Sequence, residues 1–201
     1  MVVFDATTLM LAIRPESGRP IDSETGEPIE HAAERIAFLI AEMDKSKTKI
    51  GIPTPALSEV LVRAGSGAPK IVERIGQLSV FQVLNFDEMS AIEVAMMTKV
   101  ALDSGDKRDG SDEVWAKIKY DRQIIGIARR ARATAIYTDD RGLRNTAVRS
   151  GFTVIRLADL QLPPEKAQGE LPLIAAEPEA DIQGLEEIDE VRQIEAGQPT
   201  A

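Results

Sequence analysis

Two spacings of apolar residues alternate along this chain. Short runs rich in β-branched and aromatic side chains, MVVF (1–4), KIGIP (49–53), SVFQVL (79–84), TAIYT (134–138) and FTVIRL (152–157), read as five buried strands. Between them apolar residues recur every three or four positions, the period of an amphipathic helix. Residues 30–46 place Ala33, Ile36, Ala37, Ile40 and Met43 on one face. Further helices are predicted over 55–64, with Thr54 as N-cap and Pro55 first in the helix, and over 68–77, 88–103 with Asp87 as N-cap, 114–132 and 141–150. Strands separated by helices predict an α/β fold, a three-layer α/β/α sandwich around a mainly parallel sheet of about five strands.

Three stretches break this rhythm. RPESGRPIDSETGEPIEH (14–31) is rich in Gly, Pro and charge and reads as a surface loop or flap. DSGDKRDGSDE (103–113) is a second polar loop, whose aspartates lack the spacing of a helix-loop-helix calcium site. From Pro163 onward the chain is acidic, contains Pro and is weakly apolar, so it divides into a domain at 1–160 and an acidic, mobile tail at 161–201, with a short helix around 182–195.

Composition narrows the chemistry. The 201 residues contain no cysteine and one histidine, His31, which excludes disulfides, thiolate metal sites and a histidine-rich zinc centre. No apolar run is long enough to span a membrane and the N-terminus does not read as a secretion signal, so a cytoplasmic location is expected. The net charge of −9 is uneven: residues 161–201 hold ten acids and two bases, whereas 114–160 hold ten bases and four acids. An acidic chain can therefore still present a basic region to a polyanion.

The acids fall where a parallel sheet binds ligands, outside the carboxyl ends of the strands. Asp5 ends the first strand, and Asp139 and Asp140 end the fourth, adjacent to one another. Asp121 lies within the apolar stripe of its helix, three residues before Ile124 and seven before Ala128. A carboxylate there must be neutralised by Arg122, by Lys117 or by a bound cation. Periodicity alone turns Glu59 to solvent, away from Leu57, Val60, Leu61 and Ala64. Converging carboxylates without histidine or cysteine suit a hard divalent ion, Mg²⁺ or Mn²⁺.

The segments DATTLML, PTPALSEVL and KIKYDRQIIGIARRARATAIYTDD together resemble the PIN-domain ribonuclease family, including VapC-type toxins, over roughly residues 1–160. The resemblance implies a PIN-like fold and a Mg²⁺- or Mn²⁺-dependent endoribonuclease. It implies Asp5, Glu59, Asp121 and Asp140 as catalytic metal ligands, Asp139 assisting, and Thr7 and Thr138 orienting them from behind. Lys117, Lys119, Arg122, Arg141 and Arg144 are candidates for the RNA backbone. The family further implies a cognate antitoxin and a homodimer. The competing reading is a catalytically silent RNA- or protein-binding module on the same scaffold.

Overall fold

The computed structural model describes residues 1–108 and 110–166. The chain divides into two units, Met1–Pro164 and Glu165–Ala201. The helix expected around 182–195, with nearly all of the acidic tail, lies outside the described residues.

Each of the five apolar runs contains one strand: β1 (Val2–Phe4), β2 (Ile50–Pro53), β3 (Phe81–Leu84), β4 (Ala135–Tyr137) and β5 (Thr153–Ile155). They form one sheet in the order β3-β2-β1-β4-β5 with every pairing parallel. Helices flank it: α1 (Ala6–Ile13), α2 (Ala32–Lys45), α3 (Thr54–Ala64), α4 (Ala68–Gln77), α5 (Glu88–Asp103), α6 (Trp115–Arg130) and α7 (Arg141–Arg149). Val3, Phe4, Ile50, Ile52 and Ile136 from the central strands are essentially inaccessible and pack with Leu9, Ile36, Val60 and Ile125 from the helices. Burying each such side chain contributes about 1.5–3 kcal/mol before entropy is counted. No helix among the described residues is long and apolar enough to cross a membrane.

Two local expectations need correction. Helix α1 gave no amphipathic signal, because six of its eight residues are buried and Thr7 alone is exposed. Thr54 does not cap α3; it is the first helical residue, and its hydroxyl accepts the Phe86 N–H at 3.2 Å, tying α3 to the end of β3. Asp87 does cap α5, accepting the Ser90 N–H at 2.8 Å.

The winding sets up a crevice. From β1 the chain steps outward through β2 to β3, then returns to the other side of β1 for β4 and β5. The order therefore reverses between β1 and β4, the place where open parallel sheets bind ligands. Phe4 pairs with Tyr137, so the next residues, Asp5 and Thr138, emerge side by side. Helix α6 is brought close by Gly126: a Cβ there would meet the Ser90 carbonyl oxygen and Val94 Cγ2, each at 2.8 Å. Only glycine lets α6 lie this close to α5, and α6 carries Asp121.

The 14–31 loop is anchored rather than free. A bridge joins Ile21 to Pro28, and Glu24 pairs with Arg144 at 3.0 Å and with Arg156 at 2.6 Å. In the 103–113 loop, Asp106 accepts the N–H groups of Arg108 and Gly110, the local turn bonding of a polar loop.

Candidate active site

Asp5 follows β1 and begins α1. Its Oδ1 accepts the Thr8 N–H at 2.7 Å, an N-cap bond, and its Oδ2 accepts the Thr138 hydroxyl at 2.5 Å. Thr138, fully buried after β4, also accepts the Asp140 N–H at 3.0 Å, so one hydroxyl ties the ends of both strands. Thr8 fixes the same corner by donating its hydroxyl to the Tyr137 carbonyl at 3.2 Å. Burial pushes the Asp5 carboxyl above the usual range, against the lowering effect of these hydrogen bonds, and the nearby Asp140 charge adds to the rise.

Asp140 caps α7 by accepting the Leu143 N–H at 2.9 Å. Its Oδ1 also receives the Lys117 ammonium at 2.7 Å. Burial opposes its ionisation, but Lys117 and the backbone N–H groups of Leu143 and Gly142 prevail and hold it below the usual range. Asp121, buried on α6 as its place in the apolar stripe predicts, faces the same ammonium at 3.5 Å from Oδ2. Burial pushes Asp121 up to about 6, with Lys117 opposing and the Asp140 charge assisting. Of the two basic side chains open to Asp121 in the sequence, Lys117 faces it and Arg122 does not.

Asp5, Lys117, Asp121 and Asp140 line one cleft of ≈ 530 Å³, together with Thr7, Glu59, Arg63 and Tyr120. Glu59 sits at the lip, half exposed and paired with Arg63 at 2.5 Å. Its exposure follows the helical period, and the packing of α3 against α1 and α6 still brings it to the cleft. Asp139 does not line the cleft. It turns toward the Leu157 N–H at 3.3 Å, and burial raises it to about 6. The adjacent acids thus point apart, Asp140 into the cleft and Asp139 toward Leu157.

The expected RNA contacts divide sharply. Lys119 and Arg141 are exposed. Lys117 is committed to the carboxylates. Arg122 must be withdrawn: it is buried, donating to Thr98 Oγ1 and the Lys107 carbonyl and lying 5.5 Å from the Trp115 ring centroid. Arg144 is largely covered and engaged with Glu24. The sequence reading also missed two contributors. Thr8 could have been found as the residue three after a capping aspartate. Gly142 matters because a Cβ there would stand 2.9 Å from Lys117 Nζ and 3.3 Å from both Asp121 Oδ2 and Asp140 Oδ1. Its signal was a glycine inside a helix, where alanine serves the helix better.

The donor set suits a hard divalent ion: carboxylate oxygens only, partly desolvated, against a backbone stripped to hydrogen at Gly142. Asp5, Asp121 and Asp140, with Glu59 from the lip, would be the residues to hold it. Among the described residues, however, no three acidic or histidine side chains already stand grouped as a metal cage.

The sequence matches no protein-family model and no curated protein. Solved structures do share the fold. A chain of FitAB bound to an IR36 DNA fragment is similar with a TM-score of 0.52 and 14% identity, over 80% of this chain and 98% of that one. A chain of VapBC2 from Rickettsia felis, bound to a DNA fragment from their promoter, gives 0.51 and 12%, over 78% and 98%. At these identities the likeness is one of fold, and the five-stranded parallel sheet with its flanking helices is PIN-like.

Proposed function

We propose that this protein is a Mg²⁺- or Mn²⁺-dependent endoribonuclease that hydrolyses RNA phosphodiester bonds, acting as the toxin of a toxin–antitoxin pair. The observation that carries the reading is the meeting of Asp5, Asp121 and Asp140, from three distant parts of the chain, in one cleft at the reversal point of the sheet. A bound divalent ion supplies Lewis-acid polarisation of a phosphate and a more acidic water. The chain supplies the rest. Thr138 and Thr8 fix the Asp5 carboxylate so that it needs no reorganisation. Glu59, half exposed at the lip, is placed to orient an attacking water and accept its proton. Arg63 at the lip, with the exposed Lys119 and Arg141, offers positive charge to the RNA backbone.

An antitoxin partner belongs to the same reading, supported by the FitAB and VapBC2 assemblies that contain the neighbouring folds. Homodimerisation is supported by the exposed apolar stripe Met89, Ile92, Met96 and Val100 on α5. The lack of cysteine fits a cytoplasmic setting. A silent binding module is the second reading, and the Lys117 ammonium already seated between Asp121 and Asp140 is the observation on its side.

The deciding experiment is cleavage of a single-stranded RNA by purified protein with Mg²⁺ or Mn²⁺. Asp5→Asn is expected to lower the rate by about 100-fold or more, beyond the loss typical of groups that merely orient a ligand, while its circular dichroism stays that of the wild type. Unchanged cleavage by folded Asp5→Asn protein rules the nuclease reading out.

A further inference from the structure

Lys117 stands among the acids that the proposed ion would need. Its Nζ lies 2.7 Å from Asp140 Oδ1, 3.5 Å from Asp121 Oδ2 and 3.8 Å from Glu113 Oε1. The seat is shaped for it. Asp121 is one helical turn beyond Lys117 on α6, Asp140 is fixed by its capping bond to Leu143, and Gly142 closes the third side so tightly that a Cβ would reach within 2.9 Å of Nζ.

A divalent ion held by Asp121 and Asp140 would draw on the same two carboxylates that Lys117 now neutralises. It would stand within a few ångströms of the ammonium, where two cations repel strongly in a partly desolvated cleft. We propose that Lys117 is a resident counter-cation that occupies the Asp121–Asp140 seat in the absence of metal and leaves it when a divalent ion binds. The inference rests on the metal-nuclease reading and deepens it by naming the residue that competes with the ion. It explains why the acids converge on one cleft without forming a ready-made cage. The exchange needs no backbone movement, because the ammonium sits on a flexible four-carbon stem and the side chain is 30% exposed. Lys117 is thus a positioning residue that holds mutually repelling acids in place until the ion arrives.

Two measurements on the full chain test this. In calorimetric titration with Mn²⁺, Lys117→Met is expected to bind at least ~10-fold more tightly than the wild type, because affinity follows the net charge of the site. Equal or weaker binding by Lys117→Met overturns the inference and leaves the metal reading standing. Absence of Mn²⁺ binding by both proteins overturns the metal reading itself and the inference with it. The second measurement needs no variant. Acetylation of wild-type lysines by a water-soluble reagent is read by peptide mass spectrometry with and without saturating Mg²⁺. Labelling of Lys117 is expected to rise several-fold relative to the exposed Lys119, because the released ammonium becomes accessible. A Lys117:Lys119 labelling ratio that stays level or falls contradicts the exchange.

Discussion

Asp5, Asp121 and Asp140 in the cleft, and Asp22, Glu24 and Asp159 around the 14–31 loop, are both trios of acids, and their surroundings differ in kind. The loop acids meet Arg156, which pairs with all three, and Arg144, which adds a second contact to Glu24. Glu24 and Asp159 are about half exposed, and the Arg156 guanidinium, against a smaller opposing effect of burial, holds the Asp159 carboxyl below its usual range. In the cleft a single ammonium serves Asp121 and Asp140, while Asp5 is held by hydrogen bonds alone. Burial there outweighs the favourable contacts, so Asp5 and Asp121 rise. One trio is a closed set of ion pairs that fastens a loop. The other keeps buried negative charge in deficit of cations, which a fold retains at a cost in stability and which the proposed divalent ion would offset.

The largest effect expected from this contrast is at Thr138, which serves only the cleft. Thr138→Val removes the donor to Asp5 Oδ2 and the acceptor of the Asp140 N–H. Leaving these groups unpaired is expected to cost about 1–3 kcal/mol in urea unfolding and about 10–100-fold in RNA cleavage. A variant that matches the wild type in both would show that the hydroxyl positions nothing.

Next comes the stored cost at Asp121. Its folded carboxyl titrates at about 6 against an ordinary value of 3.8, so the folded state holds that proton more tightly than the unfolded chain. Its contribution to stability is therefore greatest below the ordinary range and declines as pH rises toward about 6. Metal-free Asp121→Asn is expected to escape this decline and to be more stable than the wild type at pH 7 by about 1 kcal/mol, with no gain at pH 3.5. Paired melting curves at the two pH values check it. A variant less stable at pH 7 would mean that the Lys117 attraction outweighs the burial cost.

The smallest effect is expected in the loop. Arg156→Ala opens the ion pairs to Asp22, Glu24 and Asp159. The half-exposed pairs, those of Glu24 and Asp159, are worth below about 1 kcal/mol each and fade with salt. Melting at low and high salt should converge for variant and wild type, and RNA cleavage should stay unchanged. A loss of cleavage would join the two regions that the comparison separates.

The sheet was readable because buried parallel strands leave continuous apolar runs, and each run holds its strand. Asp121 was readable for a related reason, since a carboxylate inside an apolar stripe must be buried. Glu59 was not readable from periodicity, because its own helix turns it toward solvent and only the packing of α3 brings it to the cleft; the resemblance of PTPALSEVL alone pointed to it. Nor did neighbouring positions reveal how Asp139 and Asp140 divide, one toward Leu157 and one into the cleft. Arg122 illustrates the opposite limit: a basic residue counted toward a basic surface is buried beside Trp115, where it ties the 103–113 loop to α6.

The central claim, that these acids share a divalent ion, is tested most directly by thermal melting of the full chain with increasing Mn²⁺. The melting temperature of the wild type is expected to climb steadily with ion concentration, as binding to the folded state alone requires, and that of Asp5→Asn to climb far less. Superimposable curves for the two proteins, or a wild-type melt indifferent to Mn²⁺, would contradict the account.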